Sequence, residues 1–113
     1  MLTGSLSAEP VDDAVRFTLA VENDGEEAVT LSFRDSMRAD FAVRAGDDDG
    51  GTEVWRWSEG RMFAQMLGTE TVGAGETVTF EGTWDDPEPG EYVAVADLAA
   101  NDADVSAEAE FSV

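Results

Sequence analysis

From Ala14 to Asn23 the chain alternates strictly. Val15, Phe17, Leu19 and Val21 fall on one side, and Arg16, Thr18, Ala20 and Glu22 on the other. A period of two over this length predicts a half-buried strand. Asn23-Asp24-Gly25-Glu26 follows, a run whose residues tolerate the left-handed backbone of tight turns. Val29, Leu31 and Phe33 resume the alternation, so the two segments read as a hairpin. The same rhythm predicts strands over Leu2–Glu9, around Phe41 and Val43 up to Gly46, and over Val54–Trp57. It continues over Thr77–Trp84 (Val78, Phe80 and Trp84 on one face), Tyr92–Ala99 and Ser106–Val113. Asp47-Asp48-Asp49-Gly50-Gly51 and Pro87-Glu88-Pro89-Gly90 separate them as turns. One stretch has helical spacing: Met62, Phe63, Met66 and Leu67, between Gly60 and Gly68. It is so short that a single turn or a short strand fits equally well. Seven or eight short strands with turns between them predict an all-β, antiparallel, immunoglobulin-like β-sandwich, one domain over residues 1–113.

Charge changes the picture of where such a domain works. Asp and Glu number 26 against 6 basic residues, a net charge of −20. All six cations are arginines: Arg16, Arg34, Arg38, Arg44, Arg56 and Arg61. In dilute salt this surface repels itself. At about 1 M salt the Debye length is about 3 Å and the repulsion is screened. The acids are spread along the whole chain, which points to a halophilic, high-salt cytoplasm of the haloarchaeal type. Nucleic acid and anionic membrane surfaces are poor partners for it. No apolar run is long enough to span a bilayer. The Met1–Ser5 start has neither the basic nor the apolar region of a leader, and reads as cytoplasmic or as a trimmed mature form. The dense negative charge also opposes edge-to-edge pairing, so a monomer is expected.

The missing residue types restrict the chemistry. The chain has no His and no Cys. That removes Ser-His-Asp and Cys-His nucleophilic systems, the usual zinc ligand sets and any disulfide. No glycine-rich loop opens a helix, so phosphate has no cradle. Asp47-Asp48-Asp49-Gly50 has consecutive acids between strands, unlike the alternating ligands of a calcium loop, and reads as a solvated turn. Neither a metal nor a cofactor is expected. Paired carboxylates acting as an enzyme would require a deep pocket that raises one of them.

Gly51-Thr52-Glu53-Val54-Trp55-Arg56-Trp57-Ser58-Glu59-Gly60-Arg61-Met62-Phe63-Ala64-Gln65 resembles the central signature of the intracellular proteinase inhibitor (BsuPI) family. That signature is a Val-Trp-Arg-Trp-Ser strand, then Gly, a basic residue and Phe-x-Gln. Val21-Glu22-Asn23, Phe33-Arg34 and Asp40-Phe41 resemble the family's early strands. Gly75-Glu76, Trp84-Asp85 and Pro89-Gly90-Glu91-Tyr92 resemble its later ones. Asp35-Ser36-Met37 stands where the family has a Ser-Gly-Gln type of turn, so a contact made by that loop has changed here. The resemblance implies an immunoglobulin-like sandwich and inhibition of an intracellular subtilisin-like serine protease. It implies no enzymatic activity. Trp55, Trp57, Phe63, Gln65 and Trp84 then serve the fold.

Two loops are candidates for binding a partner. One is Asp35, Ser36, Met37 and Arg38, where Met37 stands alone among polar neighbours. A large side chain at a loop tip is what a substrate-like inhibitor displays, although one exposed apolar residue needs no explanation. The other spans Ser58, Gly60, Arg61, Met62 and Met66, whose flexible thioethers suit uneven surfaces or simply plug the sandwich end. Arg38, Arg56 and Arg61 are expected to pair with neighbouring acids. Trp55 and Trp57 share one side of their strand, as core filling or as an exposed aromatic anchor. The inhibitor would hold a loop rigidly in a protease cleft. The alternative is a non-inhibitory protein-binding or scaffold domain with an apolar patch on the Trp55/Trp57 face.

Overall fold

The computed structural model describes residues 2–33, 37–45, 52–59, 67–100, 103 and 105–113. Its strands are β1 (Leu2–Val11), β2 (Ala14–Asn23), β3 (Val29–Phe33), β4 (Ala39–Ala45) and β5 (Thr52–Arg56). β6 (Gly68–Val72), β7 (Thr77–Asp85), β8 (Glu91–Leu98) and β9 (Ser106–Ser112) complete the order. All pairings are antiparallel, in the orders β1-β2-β7, β3-β6 and β5-β4-β8-β9. No helix occurs among the described residues. The fold is the sandwich that the alternation predicts.

β2 supplies the middle of the core. Val15, Phe17, Leu19 and Val21 are fully buried, while Arg16 and Glu22 face solvent. Phe17 joins the two larger sheets. Its ring lies 6.2 Å from Phe41 of β4, 5.8 Å from Trp55 of β5 and 5.5 Å from Phe111 of β9. Trp55 stacks on Trp84, Trp84 meets Tyr92 edge-on, and Tyr92 stacks on Phe111. Five rings therefore close a circuit through Phe17. Such pairs contribute roughly 0.5–1.5 kcal/mol each beyond the area they bury. Tyr92 adds a polar tie: its hydroxyl donates to the Glu88 carbonyl at 2.6 Å. A tyrosine near the start of a strand, bonded back to the chain just before it, is the corner typical of immunoglobulin-like sandwiches.

Two expectations change. β2 and β3 do not form a hairpin: β2 pairs with β1 and β7, and β3 pairs with β6. Asn23 explains the break. It is fully buried, and its side-chain amide donates to the carbonyls of Glu27 (2.7 Å) and Val72 (2.9 Å). Its side-chain oxygen accepts from Gly25 N, and its backbone exchanges bonds with Glu76 and Gly75. A buried amide is stable only with its partners supplied, and these partners steer the chain out of the first sheet. The second change is β6, a ninth strand. It is Thr-rich with Val72 as its buried residue, so it lacks an apolar alternation. Residues 60–66 of the short helical-or-strand stretch lie outside the described residues, and Leu67 is 84% exposed.

Gly82 of β7 faces the Phe41 and Trp57 rings at close range. A Cβ there would lie 2.7 Å from Phe41 Cδ2 and 3.1 Å from Trp57 Cδ1. Both rings are packed on one another, at 6.4 Å between centroids, and have little room to retreat. Gly82→Ala is therefore expected to lower stability by about 1–3 kcal/mol, read from denaturant midpoints in molar KCl. An unchanged midpoint would contradict this packing.

Candidate functional site

The connection that follows the Trp-Arg-Trp segment is anchored through a carboxylate that the sequence does not single out. Asp40, near the start of β4, is largely buried, with its side chain 14% exposed. Its Oδ1 accepts from the backbone amides of Phe41 (2.9 Å) and Ser58 (3.0 Å). Its Oδ2 accepts from Ser58 Oγ (2.7 Å) and Arg56 Nη1 (3.0 Å). Four donors converge on one carboxylate, three of them from the Arg56–Ser58 segment. Trp57 N also donates to the Phe41 carbonyl at 2.8 Å. The end of β5 is thus fastened to the start of β4 by side chain and backbone together.

Arg56 links this knot outward. Its Nη2 and Nε donate to the two oxygens of Glu53 at 2.6 and 3.4 Å. The hydrogen bond to Glu53 first, and that to Asp40 second, raise the guanidinium's pKa above its ordinary value. A raised pKa on a base stabilises the fold at every pH below the unfolded value, so this contribution is constant through neutral pH. Arg56 therefore follows the expectation that the rare cations pair with acids.

Arg38 does something different. Its guanidinium carbon lies 4.5 Å from the centroid of the Phe33 ring, a cation–π contact. Its Nη1 is buried without a hydrogen-bond partner. The guanidinium lies on the backbone of Gly68, where a Cβ would come within 2.7 Å of Nη2. Gly68 is the first residue of β6 and pairs with Phe33. The Arg38 carbonyl accepts from Ala99 N at 2.9 Å. The Arg38 guanidinium thus packs against the start of β6, while Asp40 hydrogen-bonds the end of β5. The connection between β5 and β6 has one root at Ser58 and the other at Gly68. Both roots meet residues of one short segment, Arg38-Ala39-Asp40.

The remaining candidates divide clearly. Met37 is half-buried, not a freely exposed tip. Trp55 and Trp57 both turn toward the interior, onto Phe17 and Phe41, and are half-buried. Trp84 completes the ring circuit. Val54, between Glu53 and Trp55, is the extra residue of a β-bulge opposite Val43 and Arg44, and is 48% exposed. Asp35, Ser36, Gly60, Arg61, Met62, Phe63, Gln65 and Met66 lie outside the described residues, as does the Asp47–Asp49 turn. At the far end of the sandwich an open depression of about 510 Å³ is lined by Val11, Asp12, Asp13, Arg16, Asp85 and Asp86, among others. Among the described residues no group of three or more acids is placed to hold a metal ion.

The described residues form an immunoglobulin-like sandwich in which Asp40 fastens the end of β5 to the start of β4. The intracellular proteinase inhibitor (BsuPI) family matches residues 2–103, and the chain belongs to that family. The family is described by inhibition, not by catalysis. No curated protein matches the chain significantly. Among solved structures it is similar to Spo0M, a sporulation control protein from Bacillus subtilis, with a TM-score of 0.56 and 20% identity, over 99% of this chain and 49% of that one. It is similar to a CARDB domain from Pyrococcus furiosus, with a TM-score of 0.53 and 18% identity, over 100% and 87%. A β-glucosidase from Kluyveromyces marxianus gives a TM-score of 0.54 and 15% identity, and the chain spans 14% of that enzyme's length. These likenesses are of fold alone.

Asp40→Ala is expected to cost about 1–3 kcal/mol, because it leaves the Ser58 amide and hydroxyl without their acceptor. Asp40→Asn keeps one oxygen for the two amides and should cost less. Arg56→Ala removes the half-exposed Glu53 pair and one of the four donors on Asp40, whose other three stay in place, and should cost less than Asp40→Ala. Denaturant midpoints of the three variants test this order, and equal losses would contradict it.

Proposed function

We propose that the chain inhibits an intracellular subtilisin-like serine protease, by presenting a surface connection on a rigid sandwich. The observation that carries this reading is the double clamp. Asp40 hydrogen-bonds Ser58 and Arg38 packs on Gly68, so the connection leaves and rejoins the sandwich at supported points. Fixing a loop before binding lowers the entropy lost when it enters a cleft. Family membership supplies the class of partner. Ser58, Gly60, Arg61, Met62 and Met66 belong to the clamped connection. Asp35, Ser36 and Met37 precede Arg38 in the sequence and form the second candidate segment. Trp55 and Trp57 turn toward Phe17 and Phe41, which favours this reading over a scaffold that uses an exposed aromatic patch.

The working environment in this proposal is a high-salt cytoplasm, with the protein acting as a monomer. A net charge of −20 on 113 residues is tolerable where salt screens it. The thermal midpoint should therefore rise between about 0.1 M and about 1 M KCl, as the Debye length falls from about 10 Å to about 3 Å. A midpoint that is flat or falls would remove the salt adaptation from the account.

The functional test is a titration of a salt-tolerant intracellular subtilisin-like protease with this protein in molar KCl. Stoichiometric loss of peptidase activity is expected. Full activity beside the folded domain would overturn the inhibitor reading.

A further inference from the structure

We propose that Leu67 is the apolar side chain that enters the primary pocket of the protease. The inference rests on the inhibitor reading and deepens it by naming the anchor and the bond it presents.

Leu67 is 84% exposed, against 48% for Val54 and 40% for Val113, the other large apolar residues exposed among the described ones. An exposed leucine alone needs no explanation. This one is set apart by what holds it. The next residue, Gly68, pairs with Phe33 in the β3–β6 register. Arg38 lies on the Gly68 backbone, and Phe33 supports the Arg38 guanidinium from below at 4.5 Å. The Arg38 guanidinium lies 2.7 Å from where a Gly68 side chain would begin, so a larger residue at 68 would push it aside. An apolar group on such a base projects from a fixed point, and fixed apolar anchors in a pocket carry most of the binding energy of an interface.

The chain beyond Leu67 is already extended. Thr69, Glu70 and Thr71 of β6 are exposed, and among the described residues β6 pairs with β3 alone. Extended backbone with a free edge is the form in which peptide-binding clefts add a strand. With Leu67 in the pocket, the peptide bond facing the protease is Leu67–Gly68. Its hydrolysis would add one water, leaving a carboxylate on Leu67 and an amine on Gly68. β3 and Arg38 keep that amine beside the carboxylate, so the bond can re-form and the complex persists. The pocket is an apolar one, because an acidic primary-pocket residue would find no cation at position 67.

The experiment measures inhibition constants for the full chain and for Leu67→Asp, Leu67→Phe and Val54→Asp, in molar KCl against the same protease. Burial of one leucine side chain corresponds to about 10- to 150-fold in affinity. Leu67→Asp should weaken inhibition by at least that factor. Leu67→Phe should change the ranking among proteases with different apolar pockets. Val54→Asp, on the edge strand β5, should stay within about 2-fold, the scale of a change outside the contact. Mass spectrometry after long incubation should find a slow cut between Leu67 and Gly68. Wild-type inhibition left intact by Leu67→Asp would overturn the anchor and leave the inhibitor function standing. A wild type that does not inhibit would overturn both. A dimer in sedimentation that Leu67→Asp disperses would assign the side chain to self-association and overturn its protease role.

Discussion

The candidate end of this molecule depends on one carboxylate. Asp40 gathers two backbone amides, a hydroxyl and a guanidinium on its two oxygens. A largely buried charge is stable only when its lone pairs are filled, and here all the partners sit at the junction of β4 and β5. The Trp-Arg-Trp-Ser segment follows from it. Arg56 turns one way to reach Asp40 and Glu53, so Trp55 and Trp57 turn the other way into the core. Ser58 then leaves the strand at a fixed point. The most specific stretch of the sequence is thus a device for starting a connection in one place.

Two rigid bodies of packing meet at that device. On one side the ring circuit through Phe17, Trp55, Trp84, Tyr92 and Phe111 locks the sheets together. On the other, Arg38 and Phe33 hold the start of β6. The segment Arg38-Ala39-Asp40 belongs to both. A chain of −20 net charge places two of its six cations, Arg38 and Arg56, at this end. One neutralises a buried acid and the other lies on an aromatic face, so both serve geometry before they serve solubility.

Most strands were legible because one residue in two is buried, and that pattern is written locally. β2 shows it without exception. What was not legible is contact at long range. Asp40 is one of 26 acids, and nothing near it in the chain distinguishes it from the rest. Its partners lie 16 and 18 residues away. Asn23 looks like a turn residue, and it is one, yet its buried amide bonds to Val72 across 49 residues. That contact decides that β3 leaves β2. β6 was missed for the opposite reason: it is a polar edge strand, with Val72 as its buried residue. Leu67 was visible as an apolar residue among others, and its setting on Gly68 and Arg38 emerges only in three dimensions.

Amide hydrogen exchange in wild type and Asp40→Ala, in molar KCl, tests the central claim most directly. The account predicts fast exchange at Trp57, Ser58 and Glu59 in the variant, with the amides of Val15 to Val21 still protected. Exchange that stays slow at Ser58, or that rises equally across β2, would contradict a local clamp and leave Asp40 as one more contributor to global stability.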